Sequence, residues 1–196
     1  MDDSTRNDGQ AAKTSAASAF FYGTLMEPQI FYTVCYSSGD PPRHIKKKHA
    51  FNPAILHGYC RRRINDADYP GMIEDPDHSV RGTYVTGLTD DNIEKLDSFE
   101  GSDYERRKVK VRLLTKVGDD KGHGNEEGEE VTADTYIFLD KNELENKEWD
   151  FEEFRREKMQ IWTRAGYIFD ECDPNDPASV AAVVEETKEQ AVESAV

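Results

Sequence analysis

Apolar and basic side chains alternate along Lys108–Leu113, which reads Lys-Val-Lys-Val-Arg-Leu. A period of two places the apolar members on one face of an extended strand and the basic members on the other. The wider run Tyr104–Leu114 is therefore predicted to be a half-buried strand, with Val109, Val111 and Leu113 facing the core. The fold must then contain a sheet that buries at least one face.

Four more segments have the apolar pattern of strands. They are Ala19–Tyr22, Ala54–Ile64, Val80–Leu88 and Val131–Leu139. The first is short, apolar and stopped by Gly23, which is typical of a buried strand. Between these strands, residues 37–53 are predicted to form a loop and Tyr69-Pro70-Gly71 a turn.

Helices are predicted at three places. One begins at Pro28, where a missing N–H costs nothing, and one begins after Thr89, a good N-cap, and ends at Gly101. The third is a long amphipathic helix over Trp149–Trp162. Many strands with few crossover helices favour an α+β fold with a small, mostly antiparallel barrel or curled sheet over a doubly wound parallel sheet.

Three polar stretches flank or interrupt the predicted domain, which spans residues 19–170. Residues 1–18 have almost no large apolar side chain and are predicted to be a disordered arm. Residues 118–130 are rich in glycine and acids, which favours a long exposed loop inserted in the domain. Residues 171–196 form an acidic extension whose valines are spaced as in a helix.

The net charge of the chain is −15. This charge argues against binding of nucleic acid or of an anionic membrane by the molecule as a whole, since both need positive charge. We find no signal-peptide pattern and no apolar run long enough to span a membrane. The three cysteines have no disulfide-framework or zinc-site spacing, so a cytoplasmic location is expected, with Cys35 and Cys60 in the core.

Two basic clusters, residues 43–48 and Arg61–Arg63, interrupt the acidic chain. Nucleic-acid binding usually pairs such clusters with stacking aromatics or a recognisable motif. The first cluster has no interleaved aromatic residue and neither accompanies such a motif. Both are therefore predicted to be a solvated loop and a solvated strand end, and no nucleic-acid partner is expected.

A first candidate site lies where the strand before Gly23 leads into the helix that begins at Pro28. Successive backbone N–H groups at such a turn can bind an anion, aided by the positive end of the following helix. A second interpretation stays open, in which Gly23 supplies an unusual φ for an ordinary turn.

A second candidate is Glu100, which lies between Phe99 and the helix-ending Gly101. A carboxyl held against apolar surface has a raised pKa, which suits a general base that works near neutral pH. The alternative is a solvated acid at a helix end. Both alternatives stay open on these residues alone.

Taken in order, these motifs resemble the γ-glutamylcyclotransferase-like superfamily, and within it the avirulence-induced-gene-like branch. The resemblance covers roughly residues 19–169. It is carried by Tyr22-Gly23-Thr24-Leu25, Pro53–Tyr59, Tyr69–Ile73, Val80-Arg81-Gly82, Leu96–Gly101 with Tyr104-Glu105-Arg106, and the helix over Trp149–Trp162.

The resemblance implies a small β-barrel with flanking helices and a cavity at one end. It also implies an acyl transfer in which the α-amine of a γ-glutamyl compound attacks its own γ-carbonyl, giving 5-oxoproline and a free amine or amino acid. The catalytic acid/base then falls on Glu100. The substrate-binding residues fall on the loop Tyr22, Gly23, Thr24, Leu25, Met26 and Glu27, with Tyr104 as a further pocket residue.

Two functions are weighed on this basis. The first is an enzyme acting on a small γ-glutamyl substrate with no cofactor or metal, because nucleophile and electrophile are on one molecule. The second is a non-catalytic module on the same fold that binds a ligand or a protein partner through its acidic extensions. Turnover of γ-glutamyl compounds discriminates between them.

Overall fold

The fold is known from a computed structural model, which describes residues 16–119 and 122–159. Within these residues it contains six strands and four helices, with single 3₁₀ turns between some of them. The strands are β1 (Ala17–Phe21), β2 (Ala50–Ile64), β3 (Pro70–Leu88), β4 (Tyr104–Lys116), β5 (Glu126–Phe138) and β6 (Leu144–Glu148). The helices are α1 (Pro28–Tyr36), α2 (Arg43–Lys46), α3 (Asp90–Glu100) and α4 (Phe151–Glu157).

The strands form one mixed sheet in the order β3-β1-β5-β4-β2-β6, and β3 also pairs with β2. Among the described strands, β1 and β5 run parallel and the other neighbours run antiparallel. The long β2–β3 and β4–β5 ladders are the two hairpins of the sheet. The predicted α+β class with mostly antiparallel strands is confirmed.

Strand β1 is buried on both faces. Phe21 packs with α1, α3 and α4 in one apolar cluster, and Phe20 packs in a second cluster with side chains from β2, β3, β4 and β5. A strand with two buried faces has no need of polar residues in alternate positions. This explains why the sequence around Phe20 is continuously apolar.

The predicted strand over Tyr104–Leu114 is confirmed, and it continues to Lys116. Val109 and Val111 are buried in the second apolar cluster, and the partly buried Leu113 packs against the same cluster, as predicted. Leu114 is also buried, which the alternation does not predict. The register between β4 and β5 shifts between Arg112 and Leu114, and an irregularity of this kind cannot be seen in the sequence of β4 alone.

Several predicted boundaries need correction. The predicted loop over residues 37–53 contains α2 and the first residues of β2, and Pro70-Gly71 opens β3 instead of forming a turn. Proline is tolerated at the first residue of a strand, where its missing N–H removes no essential ladder bond. The predicted loop 118–130 ends early, since β5 begins at Glu126.

The ends of the chain are only partly described. Residues 17 and 18 belong to β1, where they pair with Leu88 and Thr86, and so they are not part of the predicted arm. Residues 1–15, the later part of the helix predicted over Trp149–Trp162, Cys172 and the extension 171–196 lie outside the described residues. Cys35 and Cys60 are buried, as predicted. No helix in the described part of the chain is long and apolar enough to cross a membrane.

Candidate active site

Helix α3 places Glu100 at its last position. The helix begins with a capping box, in which the Thr89 hydroxyl accepts the N–H of Asn92 and the Asn92 side chain accepts the N–H of Thr89. It ends at Gly101, whose φ of 72° is a conformation that glycine adopts without strain. Both predicted ends are confirmed, and together they fix where the Glu100 carboxyl lies.

The Glu100 carboxyl is unpaired. It forms no hydrogen bond or ion pair with any described residue, and the residue is partly buried. Burial, and secondly the negative charge of Asp97, raise the pKa of Glu100 from 4.5 to about 8. A carboxyl with such a pKa exchanges protons near neutral pH, which is what the desolvation argument from the sequence predicts.

Three tyrosines lie close enough to Glu100 for its charge to help raise their pKa, after burial as the main cause: Tyr22, Tyr104 and Tyr136. The sequence predicts the first two as pocket residues. Tyr136 is missed, because its place in β5 reaches the site only through the pairing of β5 with β1 and β4.

The hydroxyl protons of these tyrosines are already engaged. Tyr22 donates to the carbonyl oxygen of Tyr136 at 2.7 Å, and Tyr104 donates to the carbonyl oxygen of Pro70 at 3.0 Å. Tyr136 donates to Oδ1 of Asp97 at 2.8 Å. With these protons held, the phenolic oxygens can offer only lone pairs to a bound molecule.

The loop after β1 forms a 3₁₀ turn over Thr24–Met26. The carbonyls of Gly23 and Thr24 accept the N–H groups of Met26 and Glu27, at 3.0 Å and 3.1 Å. The N–H groups of Gly23, Thr24 and Leu25 have no acceptor among the described residues. Successive free amides of this kind can bind an anion or a developing oxyanion.

The backbone of Gly23 does not support the alternative of an unusual φ. Its φ is −116°, outside the left-handed region that favours glycine. A Cβ at Gly23 would lie 3.0 Å from two ring carbons of Pro70. Glycine is therefore suited to this position by the close approach of β3, which also brings the loop close to Tyr104 through the carbonyl of Pro70.

The last two residues of the predicted substrate-binding loop contact other parts of the protein. The Met26 sulfur lies 3.9 Å from Nη1 of Arg61, and the Glu27 carboxylate lies 3.3 Å from Nε of Arg155 in α4. Their predicted contact with substrate stays a prediction.

An open groove of about 430 Å³ lies beside Gly101, the residue that follows Glu100, and Glu100 itself does not line it. It is lined by Asp97, Gly101, Tyr104, Glu105, Arg106, Tyr136 and Leu139. The Asp97 carboxylate accepts from Nε of Arg106 at 2.9 Å, so these two charged side chains of the groove form an ion pair. The amides of Gly23–Leu25 do not line this groove. No cluster of His, Cys, Asp or Glu with metal-binding geometry occurs in the described parts of the chain.

The basic cluster Arg61–Arg63 is not a solvated strand end. The Arg61 side chain is only 11% exposed, and its guanidinium lies 5.3 Å from the ring centre of Trp149. Arg63 pairs with Glu153 of α4. The prediction fails because tertiary packing covers this end of β2 with the segment around Trp149, which is distant in sequence.

Comparisons with known proteins give relatives of similar length. AIG2-like protein C of Arabidopsis thaliana is 30% identical over 152 residues, which cover 77% of this chain and 76% of that protein. The solution structure of another Arabidopsis thaliana protein is 25% identical with a TM-score of 0.49, and the match covers 83% of this chain and 97% of that one. A structure of a gamma-glutamyl cyclotransferase is 18% identical with a TM-score of 0.47, over 67% and 69% of the two chains.

The family model described as "Gamma-glutamyl cyclotransferase, AIG2-like" matches residues 19–160. This range includes the loop at Gly23, Glu100, most of β1 and the other five strands. The resemblance inferred from the motifs is confirmed, and the chain belongs to the gamma-glutamyl cyclotransferase, AIG2-like family.

Proposed function

We propose that this protein is a γ-glutamylcyclotransferase that converts a γ-glutamyl compound into 5-oxoproline and a free amine or amino acid. The observation that carries the proposal is the unpaired Glu100 carboxyl, with its pKa raised to about 8. A partly buried carboxyl without a partner destabilises the fold once it ionises. A proton-transfer role near neutral pH accounts for its presence, and membership of the family supplies the reaction class.

In the proposed reaction, Glu100 first accepts a proton from the substrate's α-ammonium group. The freed amine attacks the γ-carbonyl carbon, so that a new C–N bond closes the five-membered ring. Glu100 then returns the proton to the leaving nitrogen as the original amide C–N bond breaks. The ring nitrogen still carries one proton too many after the attack, and it gives this second proton to the Glu100 carboxylate, which passes it to the departing amine, so that the amine leaves as an ammonium ion and Glu100 is again ionised. Atoms and charge balance without water, metal or cofactor, and the main task of the protein is to hold a reactive conformation.

The surroundings of Glu100 suit these steps. The phenolic oxygens of Tyr22 and Tyr104, which can only accept, match the N–H groups of the ammonium. The free amides of Gly23, Thr24 and Leu25 match either the substrate carboxylate or the oxyanion that forms on the γ-carbonyl oxygen. The open groove beside Gly101 offers space for the leaving amine.

The predicted small barrel also belongs to this proposal. It is supported by the pairing of β3 with both β1 and β2, which brings the two long hairpins together. The second apolar cluster, which includes Phe20, Met72 and Val111, would then fill the barrel interior.

The proposal is tested with the full chain and a panel of γ-glutamyl amino acids, γ-glutamylamines and glutathione. We expect 5-oxoproline, measured by mass spectrometry, in equal amount to the released amine from at least one of them. The matched control is the same compound acetylated on its α-amine, which cannot cyclise and should give no product. Binding of panel members without turnover of any would favour the non-catalytic ligand-binding module instead.

The pH dependence gives a second test. Because the base must be ionised, kcat/KM should rise about tenfold per pH unit below the Glu100 pKa of about 8 and level off above it. Removing the Asp97 charge should lower that pKa, since Asp97 helps to raise it. We expect Asp97→Asn to move the rise in kcat/KM by at least about half a pH unit toward acid.

The control for this shift is Asp90→Asn, which removes an exposed charge from the first turn of the same helix. Its pH profile should coincide with that of the wild type. Because every variant receives the same substrate, titration of the substrate amine cancels in the comparison. A profile of Asp97→Asn that coincides with the wild type would contradict the assignment of the rise to Glu100.

A further inference from the structure

Arg61 is a buried cation for which the proposed reaction has no use. It lies near the end of β2 with only 11% of its side chain exposed. Its Nε is buried and has no hydrogen-bond partner among the described residues. Burial lowers the pKa of Arg61, but from a value far above neutral pH, so the guanidinium stays charged. A buried charge with an unpaired donor is costly, which calls for a reason to keep it.

The contacts of Arg61 point to the loop after β1. Its Nη1 donates to the carbonyl oxygen of Tyr22 at 2.8 Å. On its other side, the guanidinium lies over the ring of Trp149, with its carbon 5.3 Å from the ring centre, and Nη2 is 3.6 Å from Oε1 of Glu148. The segment before α4 thus fixes the guanidinium in place, and the guanidinium in turn binds the loop after β1.

Holding the Tyr22 carbonyl also orients the next amide. The C=O and N–H of a trans peptide point in opposite directions in one plane, and no cis peptide bond occurs among the described residues. The bond from Arg61 therefore turns the N–H of Gly23 away from Arg61. This N–H is the first of the three loop amides that lack a protein acceptor.

We propose that Arg61 is a positioning residue, which acts through the Tyr22–Gly23 peptide to aim the amides of Gly23, Thr24 and Leu25 at the substrate. The inference rests on the proposed function for the identity of that substrate. Arginine suits the role because its planar group can donate to a carbonyl while its face stacks on an indole ring. Lysine can supply the charge and one donor but not the stacked plane.

The neighbouring Arg62 provides a matched control. It lies on the same strand one residue later, so its side chain points to the opposite face. Its Nη1 donates to Asn146 at 2.7 Å and its Nη2 lies 3.7 Å from Asp75, and neither partner belongs to the loop. Arg62→Met therefore makes the same change in charge and side-chain length as Arg61→Met, but it leaves the hydrogen bond from Arg61 to the loop intact.

The first measurement is kinetic and compares Arg61→Met, Arg61→Lys and Arg62→Met with the wild type. For Arg61→Met we expect kcat/KM to fall about 10- to 100-fold, as a loss of positioning predicts. Arg61→Lys should recover part of this loss, and Arg62→Met should stay within about threefold of the wild type. The pH at which kcat/KM levels off should not move, because Arg61 is not among the groups that raise or lower the pKa of Glu100.

The second measurement does not depend on turnover. In ¹H–¹⁵N spectra, Arg61→Met should shift the amide resonances of Gly23, Thr24 and Leu25, whereas Arg62→Met should leave them in place. Titration with 5-oxoproline should move the same resonances in the wild type and move them less in Arg61→Met.

The two measurements separate the failure of this inference from failure of the proposed function. If the wild type turns over no γ-glutamyl compound but the loop amides still shift in Arg61→Met, the reaction is wrong and the positioning role stands. If Arg61→Met loses no more activity than Arg62→Met, or leaves the Gly23 amide unshifted, Arg61 does not position the loop. A spread of shifts over the whole spectrum with a lower urea midpoint would also overturn the inference, in favour of a structural role.

Discussion

Replacing Glu100 by glutamine should reduce 5-oxoproline formation about 100- to 10,000-fold, the range typical of a lost general acid/base. Glutamine keeps the size of the side chain but cannot exchange protons. The loss should appear mainly in kcat, because the amides at Gly23 and the tyrosines would still bind the substrate. The measurement is the rate of 5-oxoproline release at saturating substrate, at a pH above 8.

Glu94→Gln is the control for this loss. Glu94 is an exposed acid in the same helix, and the structure gives its side chain no part in the site. Its variant should therefore have wild-type activity. Circular dichroism of Glu100→Gln should match that of the wild type, which separates a lost proton carrier from a lost fold. Wild-type activity in Glu100→Gln would disprove the role of this carboxyl and favour the binding module.

Helix α3 was predictable from the sequence because its ends depend on local chemistry. Thr89 caps the backbone three residues away, and Gly101 ends the helix through its own φ. Neither feature needs a distant partner. The interpretation of Glu100 depended on its chain neighbours Phe99 and Gly101, whereas the tyrosines near it come from other parts of the chain.

Arg61 shows why the rest of the site was not predictable. In the sequence it is the first of three adjacent arginines with no feature that separates it from Arg62. What separates them is that β2 turns Arg61 toward the Tyr22 carbonyl and the Trp149 ring, both distant in sequence. The position of each arginine in the folded sheet, and not the sequence around it, decides its partners.

The raised pKa of Glu100 should also be visible in the stability of the fold. The carboxyl has a pKa of about 8 when folded and near 4.5 when unfolded, so the folded state binds the extra proton between these values. The wild-type free energy of unfolding should therefore fall as the pH rises from 4.5 to 8. Above pH 8, Glu100 should cause no further fall. The loss due to Glu100 amounts to at most about 5 kcal/mol.

Glu100→Gln should remove this dependence because glutamine does not ionise. We expect the urea unfolding free energies of variant and wild type to agree near pH 4 and to separate as the pH rises, with the variant more stable by several kcal/mol at pH 9. Glu94→Gln should follow the wild type at every pH. Parallel curves for Glu100→Gln and the wild type would mean that the Glu100 pKa is not raised. If the curves separate as expected, the inactive variant is the more stable protein at alkaline pH, as expected where a site keeps an unpaired, partly buried acid for its chemistry.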